Sequence, residues 1–265
     1  MQEAMKSPSA FMAEVRAAVP LVHHITNYVT VNDCANICIC AGGSPVMTDA
    51  MEDVPDMLKA VSSSVLNIGT LNPRTVESMM AVGRLSHGRF PFVLDPVGAG
   101  ATPYRTGISE ELISLGPSVI KGNAGEIGVL SGKGGDVKGV DSHGAEDAAS
   151  AAESLAEREG CIVVSTGEID YVSDGRTTLR LSNGTDLLSK VSGTGCMLSS
   201  VVGCYVGACG ATLGSAAAAV TAFNVAAEIA SSRCSGPGTF KPALMDALCS
   251  LTADDINASA RIERI

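Results

Sequence analysis

Residues 190–196 read KVSGTGC, and no charged side chain follows until Glu228. Gly193, Thr194 and Gly195 let backbone N–H groups come close to an anion, and a helix that starts there points its positive end at the same place. Cys196 then falls on the first helical turn. The chemistry such a start serves is the stabilisation of phosphate or of developing negative charge. The spacing sets the thiol beside that anion site without assigning it a role. A cysteine-dependent acyl transfer would need a histidine beside the sulfur, and the sequence alone does not bring His23, His24 or His87 there.

Two more segments carry polar groups at the ends of apolar runs. In VLDPVGAGATPYR (93–105), Asp95 suits Mg²⁺ held through water, and it equally suits a turn cap before Pro96. In KGNAGEI (121–127), Asn123 as N-cap and Glu126 at the third helical position form a capping box. The same geometry directs a carboxylate that can organise Mg²⁺ and a lysine, Lys121, that can balance phosphate charge. Met47, in SPVM, suits either core packing or contact with a flat sulfur-containing or aromatic ring. His23 and His24 are adjacent, point to opposite faces and have no third ligand spaced nearby. Cys34 and Cys38 share a helical face among apolar neighbours, which reads as core packing rather than zinc. No Walker A loop is present: Ile127 stands where its first glycine is required, and no Ser or Thr follows Lys133. No G-x-G-x-x-G follows the first strand, so P-loop enzymes and dinucleotide oxidoreductases are disfavoured.

The elements that must position these groups alternate. Short β-rich runs at 62–70, 90–100, 118–123 and 160–175 end in polar or glycine-rich turns, as buried parallel strands do. Amphipathic helical patterns lie between them at 53–63, 72–88 and 141–160, with Gly160 as a stop signal. A helix entered near Asn27 or Asn32 leads to Gly42-Gly43 and a short SPVM strand. The alternation predicts a three-layer α/β domain: a mostly parallel central sheet, helices on both faces and right-handed crossovers. Residues 166–188 break the pattern and read as β-hairpins turning at SDG and SNG, an antiparallel edge. Ligands of open α/β sheets sit at the carboxyl ends of strands. Asn67, Thr70, Asp95, Lys121 to Glu126, Thr166 and Glu168 are therefore expected on one rim, beside the helix that begins at 193–196. No linker-like shift or repeat appears, so residues 1–265 read as one domain.

Composition narrows the class. The 265 residues are 46% apolar and 17% charged, globular rather than disordered, and long enough for a sizeable core. The net charge of −10 argues against nucleic acid as a partner. The uncharged run 191–227 is long enough to span a bilayer, but glycines interrupt it and it holds two leucines and one phenylalanine; close helix packing inside a protein is expected instead of a membrane span. Nine cysteines without a secretory h-region at the N-terminus suit reduced thiols in the cytoplasm.

HHITNYV, AGGSPVM, LNIGTL, DPVGAGATPYR, KGNAGEI, STGEID, VSGTGC and GPGTF occur in this order. Together they closely resemble the hydroxyethylthiazole kinases, enzymes of thiamine salvage, from about Leu21 to the C-terminal helix. The resemblance implies a ribokinase-like α/β fold and a homotrimer with active sites between subunits. The implied reaction moves the γ-phosphate of ATP, with Mg²⁺, to the hydroxyl of 4-methyl-5-(2-hydroxyethyl)thiazole. It assigns Met47, Gly193 and Asn27 to the thiazole pocket and Lys121 and Thr166 to ATP. It assigns Asp95 and Glu126 to the metal and Cys196 to the position where related sugar kinases carry a catalytic aspartate. The family often has arginine where Lys121 stands; the charge is the same, but lysine lacks the bidentate fork. Sister kinases of other small alcohols carry aspartate at position 196, so this thiol argues for the thiazole acceptor. A binding protein without activity would have no need of Asp95, Glu126 and Cys196 together.

Overall fold

The computed structural model describes residues 6–133 and 144–265. The strands are β1 (Leu21–Ile25), β2 (Ser44–Met47), β3 (Ser63–Asn67), β4 (Phe92–Asp95), β5 (Val119–Asn123), β6 (Ile162–Thr166), β7 (Asp170–Ser173), β8 (Thr178–Leu181) and β9 (Ile262–Arg264). The helices are α1 (Pro8–Ala18), α2 (Val31–Ala41), α3 (Val54–Met57), α4 (Pro73–Ser86), α5 (Pro103–Ile113), α6 (Ala124–Ser131), α7 (Gly144–Glu159), α8 (Thr194–Cys209), α9 (Leu213–Arg233), α10 (Pro237–Ser250) and α11 (Ala253–Ser259). All nine strands form one sheet in the order β2-β1-β3-β4-β5-β6-β7-β8-β9. Pairing is parallel from β2 through β6 and antiparallel from β6 to β9.

The parallel strands are apolar on both faces because helices cover both. Alternation along each strand sends Val65, Val93, Val119 and Val164 into one core, under α1, α2, α8, α9 and α10. It sends Leu66, Leu94, Ile120 and Val163 into the other, under α4 to α7. This is the three-layer arrangement expected from the sequence, with its antiparallel edge. Cys34 and Cys38 are fully buried on α2, as expected of core thiols. The 21-residue α9 is the one helix, among the described residues, long and apolar enough to cross a membrane, and most of it is buried inside the protein.

Several local expectations need correction. The run at 90–100 contains only four strand residues, because Pro96 cannot donate to a ladder and the glycines after it turn. Of 53–63, only Val54–Met57 is helical. SDG does turn a hairpin, β7 to β8, with Asp174 Oδ1 accepting from the Arg176 and Thr177 amides. SNG does not: Asn183 and Gly184 bond to Glu228 on α9, the chain leaves into a 3₁₀ turn (Asp186–Lys190), and C-terminal β9 takes the place beside β8. The helical pattern read from 141 appears as α7 from Gly144; residues 141–143 lie outside the described residues.

Candidate active site

Side-chain alternation explains why the polar groups meet. Asn67, Asp95, Lys121 and Thr166 each lie two residues beyond a valine of the core that α8 and α9 help to form, so each side chain leaves its strand on that face of the sheet; Lys121 reaches Gly195 O and Asp95 reaches Ser199 on α8. Register sharpens this. Asn67 pairs with Asp95 across β3 and β4, and Asn123 pairs with Thr166 across β5 and β6. The carboxyl ends of the strands thus form a polar row under one helix terminus.

Gly193 is the N-cap of α8 with φ +92°, a conformation that side chains rarely adopt. A Cβ there would also lie 2.4 Å from Thr30 Cγ2. A Cβ on Gly195 would lie 3.2 Å from Lys121 Nζ. The two glycines therefore let the helix start sit against Thr30 on one side and Lys121 on the other. Cys196 follows on the first turn, half-buried, as the sequence predicts.

Two carboxamides donate to its sulfur. Asn27 Nδ2 and Asn67 Nδ2 each lie 3.3 Å from Cys196 Sγ. Their orientation is fixed by one backbone and one side-chain donor to each amide oxygen. Asn27 Oδ1 accepts from Thr30 N at 3.1 Å and Thr30 Oγ1 at 3.0 Å. Asn67 Oδ1 accepts from Gly69 N at 2.9 Å and Asn27 Nδ2 at 2.9 Å. The remaining Asn67 N–H goes to Asp95 Oδ2 at 2.7 Å. Ser199, one turn along α8 from Cys196, donates to the same oxygen at 2.6 Å. Asp95 is buried, and its Oδ1 has no hydrogen-bond partner among the described residues.

Lys121 is buried in this row. Its Nζ donates to Gly195 O at 3.2 Å and lies 3.7 Å from Asp95 Oδ2. Burial pulls the ammonium towards neutrality, but the nearby charges of Asp95 and Glu126 outweigh it, and the net shift is upward. Glu126 forms the expected capping box with Asn123: Asn123 N donates to Oε2 at 2.8 Å, and Glu126 N donates to Asn123 Oδ1 at 2.9 Å. Its Oε1 accepts from Gly98 N at 2.8 Å, so the same carboxylate ties the loop after β4 to β5 and α6. Burial, then Asp95, raises its pKa. Arg105 braces the rim from below by donating to the carbonyls of Ile68, Val97 and Gly69.

Asn27, Asp95, Lys121, Glu126, Gly193 and Cys196 therefore lie in one contiguous cluster. Thr166 ends β6 on the same rim, with its Oγ1 donating to Gly122 O at 3.2 Å. Met47 ends the edge strand β2, half-buried and paired with His24, at the margin of the rim and outside the hydrogen-bonded cluster. His23 and His24 have partners other than the thiol. His23 bonds to Ser64 Oγ and Thr48 O, and His24 Nδ1 to Val22 O. Burial lowers the His24 pKa to about 4. Among the described residues no group of three or more His, Cys, Asp and Glu side chains forms a ready-made metal centre. Two participants carried no sequence assignment: Asn67 had only a place on the rim, and Ser199 had none. The available signal was spacing, since Ser199 lies three residues after Cys196 and Asn67 closes an apolar strand as Asp95 does.

The model of the hydroxyethylthiazole kinase family matches residues 12–254. The hydroxyethylthiazole kinase of Methanocella arvoryzae is 48% identical over 260 residues, covering 97% of this chain and 98% of the relative. The solved hydroxyethylthiazole kinase of Pyrococcus horikoshii superposes with a TM-score of 0.90 at 37% identity, covering 97% of this chain and 98% of its own. A ribokinase-like superfamily protein of Enterococcus faecalis shares the fold alone, with a TM-score of 0.64 at 12% identity over 96% of this chain and 92% of its own. With full-length likeness in both sequence and structure, the chain is a kinase of ribokinase-like fold and belongs to the hydroxyethylthiazole kinase family.

Proposed function

We propose that the protein transfers the γ-phosphoryl group of ATP, with Mg²⁺, to the hydroxyl of 4-methyl-5-(2-hydroxyethyl)thiazole, a step of thiamine biosynthesis or salvage. The observation that carries this reading is the meeting of Asn27, Asp95, Lys121 and Cys196 at the N-terminus of α8. The hydroxyl oxygen bonds to the γ-phosphorus as the bond to the ADP oxygen breaks, and the hydroxyl proton passes to Cys196 Sγ. Because phosphoryl transfer has a loose transition state, a weak base suffices, and positioning with charge neutralisation supplies most of the acceleration. The free N–H groups at the start of α8 stabilise the transferring phosphoryl oxygens, and the buried Lys121 ammonium adds positive charge. Thr166 holds ATP with Lys121. Asn27, Met47 and Gly193 hold the thiazole.

The donor set suits a divalent cation. Asp95 Oδ1 is a buried carboxylate oxygen without a donor among the described residues, and hard cations prefer such oxygens. Asp95 would hold Mg²⁺ directly. Glu126, with both oxygens already accepting backbone N–H groups, would hold it through water. When bound, Mg²⁺ neutralises phosphate charge.

The assembly in this reading is a homotrimer with active sites between subunits. Exposed Tyr28 and Val29, beside Asn27, and the half-buried edge strand β2 suit a neighbouring chain there. All nine cysteines are free, which suits a reducing cytoplasm, and residues 1–265 act as one domain. A coupled ADP-release assay tests the reaction. ADP is expected only when ATP, Mg²⁺ and the thiazole alcohol are all present. Release without the alcohol, or with pyridoxal or a hydroxymethylpyrimidine in its place, overturns the assignment.

A further inference from the structure

We propose that Asn67 is a positioning residue that joins the acceptor side of the site to its cation side, holding Asn27, Cys196 and Asp95 at one fixed spacing. The inference rests on the proposed kinase reaction. Asn67 is only 2% exposed, and all of its hydrogen-bonding capacity is committed. One lone pair of Oδ1 takes Gly69 N, which anchors the amide to the loop after its own strand. The other takes Nδ2 of Asn27, a residue of the proposed thiazole pocket. One N–H goes to Cys196 Sγ and the other to Asp95 Oδ2. A buried amide that served packing alone would be satisfied by neighbouring backbone. Here one bond of four goes to backbone, and the other three go to three candidate site residues on three different segments.

The chain of bonds has a fixed direction. Thr30 N and Oγ1 donate to Asn27, Asn27 donates to Asn67, and Asn67 donates to Asp95. Because Thr30 also contacts the space a Cβ on Gly193 would fill, the chain starts at the N-cap of α8 and ends at the carboxylate. Asn67 and Ser199 both donate to Asp95 Oδ2, which leaves Oδ1 as the oxygen without a donor among the described residues. Asn67 thereby decides which Asp95 oxygen is available to a cation. The same amide decides where the thiol stands relative to it. Partners that orient ligating and reacting groups typically alter affinity or activity by about 10–100-fold when removed.

The test uses Asn67→Asp, Asn67→Ala, Asn27→Ala and the double variant Asn27→Ala/Asn67→Ala. Asn67→Asp keeps the shape and the acceptor oxygen, replaces both N–H donors and sets a second carboxylate against Asp95, and it carries the test if the alanine variant does not fold. Both Asn67 variants are expected to lower kcat by about thirtyfold while KM for ATP and for the alcohol stays within about threefold. The losses in Asn27→Ala and Asn67→Ala are expected to combine to less than their product, because the two amides act as one chain. Independently of turnover, the Kd for Mn²⁺·ADP, read by electron paramagnetic resonance, is expected to rise about tenfold in Asn67→Ala. The proposal is overturned if kcat per folded enzyme stays within twofold of wild type in both Asn67 variants, if the losses multiply, or if Mn²⁺·ADP binds Asn67→Ala as it binds wild type. A wild type inactive on the thiazole alcohol defeats the proposed reaction instead, and the Mn²⁺ comparison still decides the role of Asn67.

Discussion

In the proposed reaction Cys196 is a weak base held by strong geometry: two carboxamide N–H groups address its sulfur, and it sits on the first turn of α8. If the thiol accepts the hydroxyl proton, Cys196→Ala should reduce kcat by roughly 10²-fold, the ordinary contribution of a positioned general base. Cys196→Asp should retain turnover, since a carboxylate can take the same proton. Steady-state assays of both variants decide the matter; alanine turning over like wild type leaves the thiol no role beyond shape. At this scale the sequence was informative about residue identity and less so about partnership. Asp95, Lys121, Glu126 and Cys196 could be singled out because each interrupts an apolar or glycine-rich run. Asn67 could be put on the rim but given no role, because its meaning lies in contacts with Asn27 and Cys196, 40 and 129 positions away along the chain. Glu126 shows the reverse case. Its capping box was legible from spacing, and the box proved to be the device that also ties down Gly98.

At the scale of elements, the turn between β6 and β7 shows how a buried charge holds a loop in place. Asp170 Oδ1 accepts from Gly167 N at 2.9 Å, and Oδ2 accepts from Asn224 Nδ2, on α9, at 2.6 Å. The carboxylate therefore pins the loop after Thr166 to a helix in the core. Burial raises its pKa to about 6, against the hydrogen bonds from Gly167 and Asn224 and the charge of Lys121, all of which lower it. Between pH 4 and 6 the unfolded chain has released a proton that the folded chain keeps, so this group's contribution to stability falls as pH rises through that window. The fall amounts to on the order of 2–3 kcal/mol. Urea unfolding of wild type and Asp170→Asn at pH 4.5 and 7.5 reads it directly: wild type should lose stability relative to the variant at the higher pH. Parallel pH dependence in the two chains would contradict the assignment to Asp170. Strand and helix alternation was visible in the sequence because period-2 and period-3.6 patterns are local. The fate of SNG was not, because a turn signal does not reveal that Glu228 and Arg261 will claim Asn183, or that the last strand will fill the vacant edge. Strand ends were overestimated wherever proline and glycine followed, since apolar character continues past the point where ladder bonding stops.

For the molecule as a whole, the open question is what completes the margin of the rim. Among the described residues strand β2 is an edge with β1 as its one sheet neighbour, and all four of its residues, Met47 included, are half-buried. Unpaired edges and apolar exposure invite a covering chain. The largest apolar exposures of the segment next to Asn27 are Tyr28 at 79%, Val29 at 63% and Ile39 at 57%. In the proposed trimer these residues meet a second subunit, and the thiazole pocket of Asn27, Met47 and Gly193 is complete only when that subunit is present. Sedimentation equilibrium should then give three times the 26.9 kDa chain mass. Placing carboxylates in the contact, Val29→Glu with Ile39→Glu, should move the mass toward that of one chain. The same variant should lower kcat/KM for the alcohol by roughly tenfold, the cost of a poorly held substrate, while each folded chain retains its melting transition. Loss of the trimer without loss of kcat/KM would mean that each subunit carries a complete site. In that event Asn27, Met47 and Gly193 of one subunit hold the alcohol without help from a neighbouring chain.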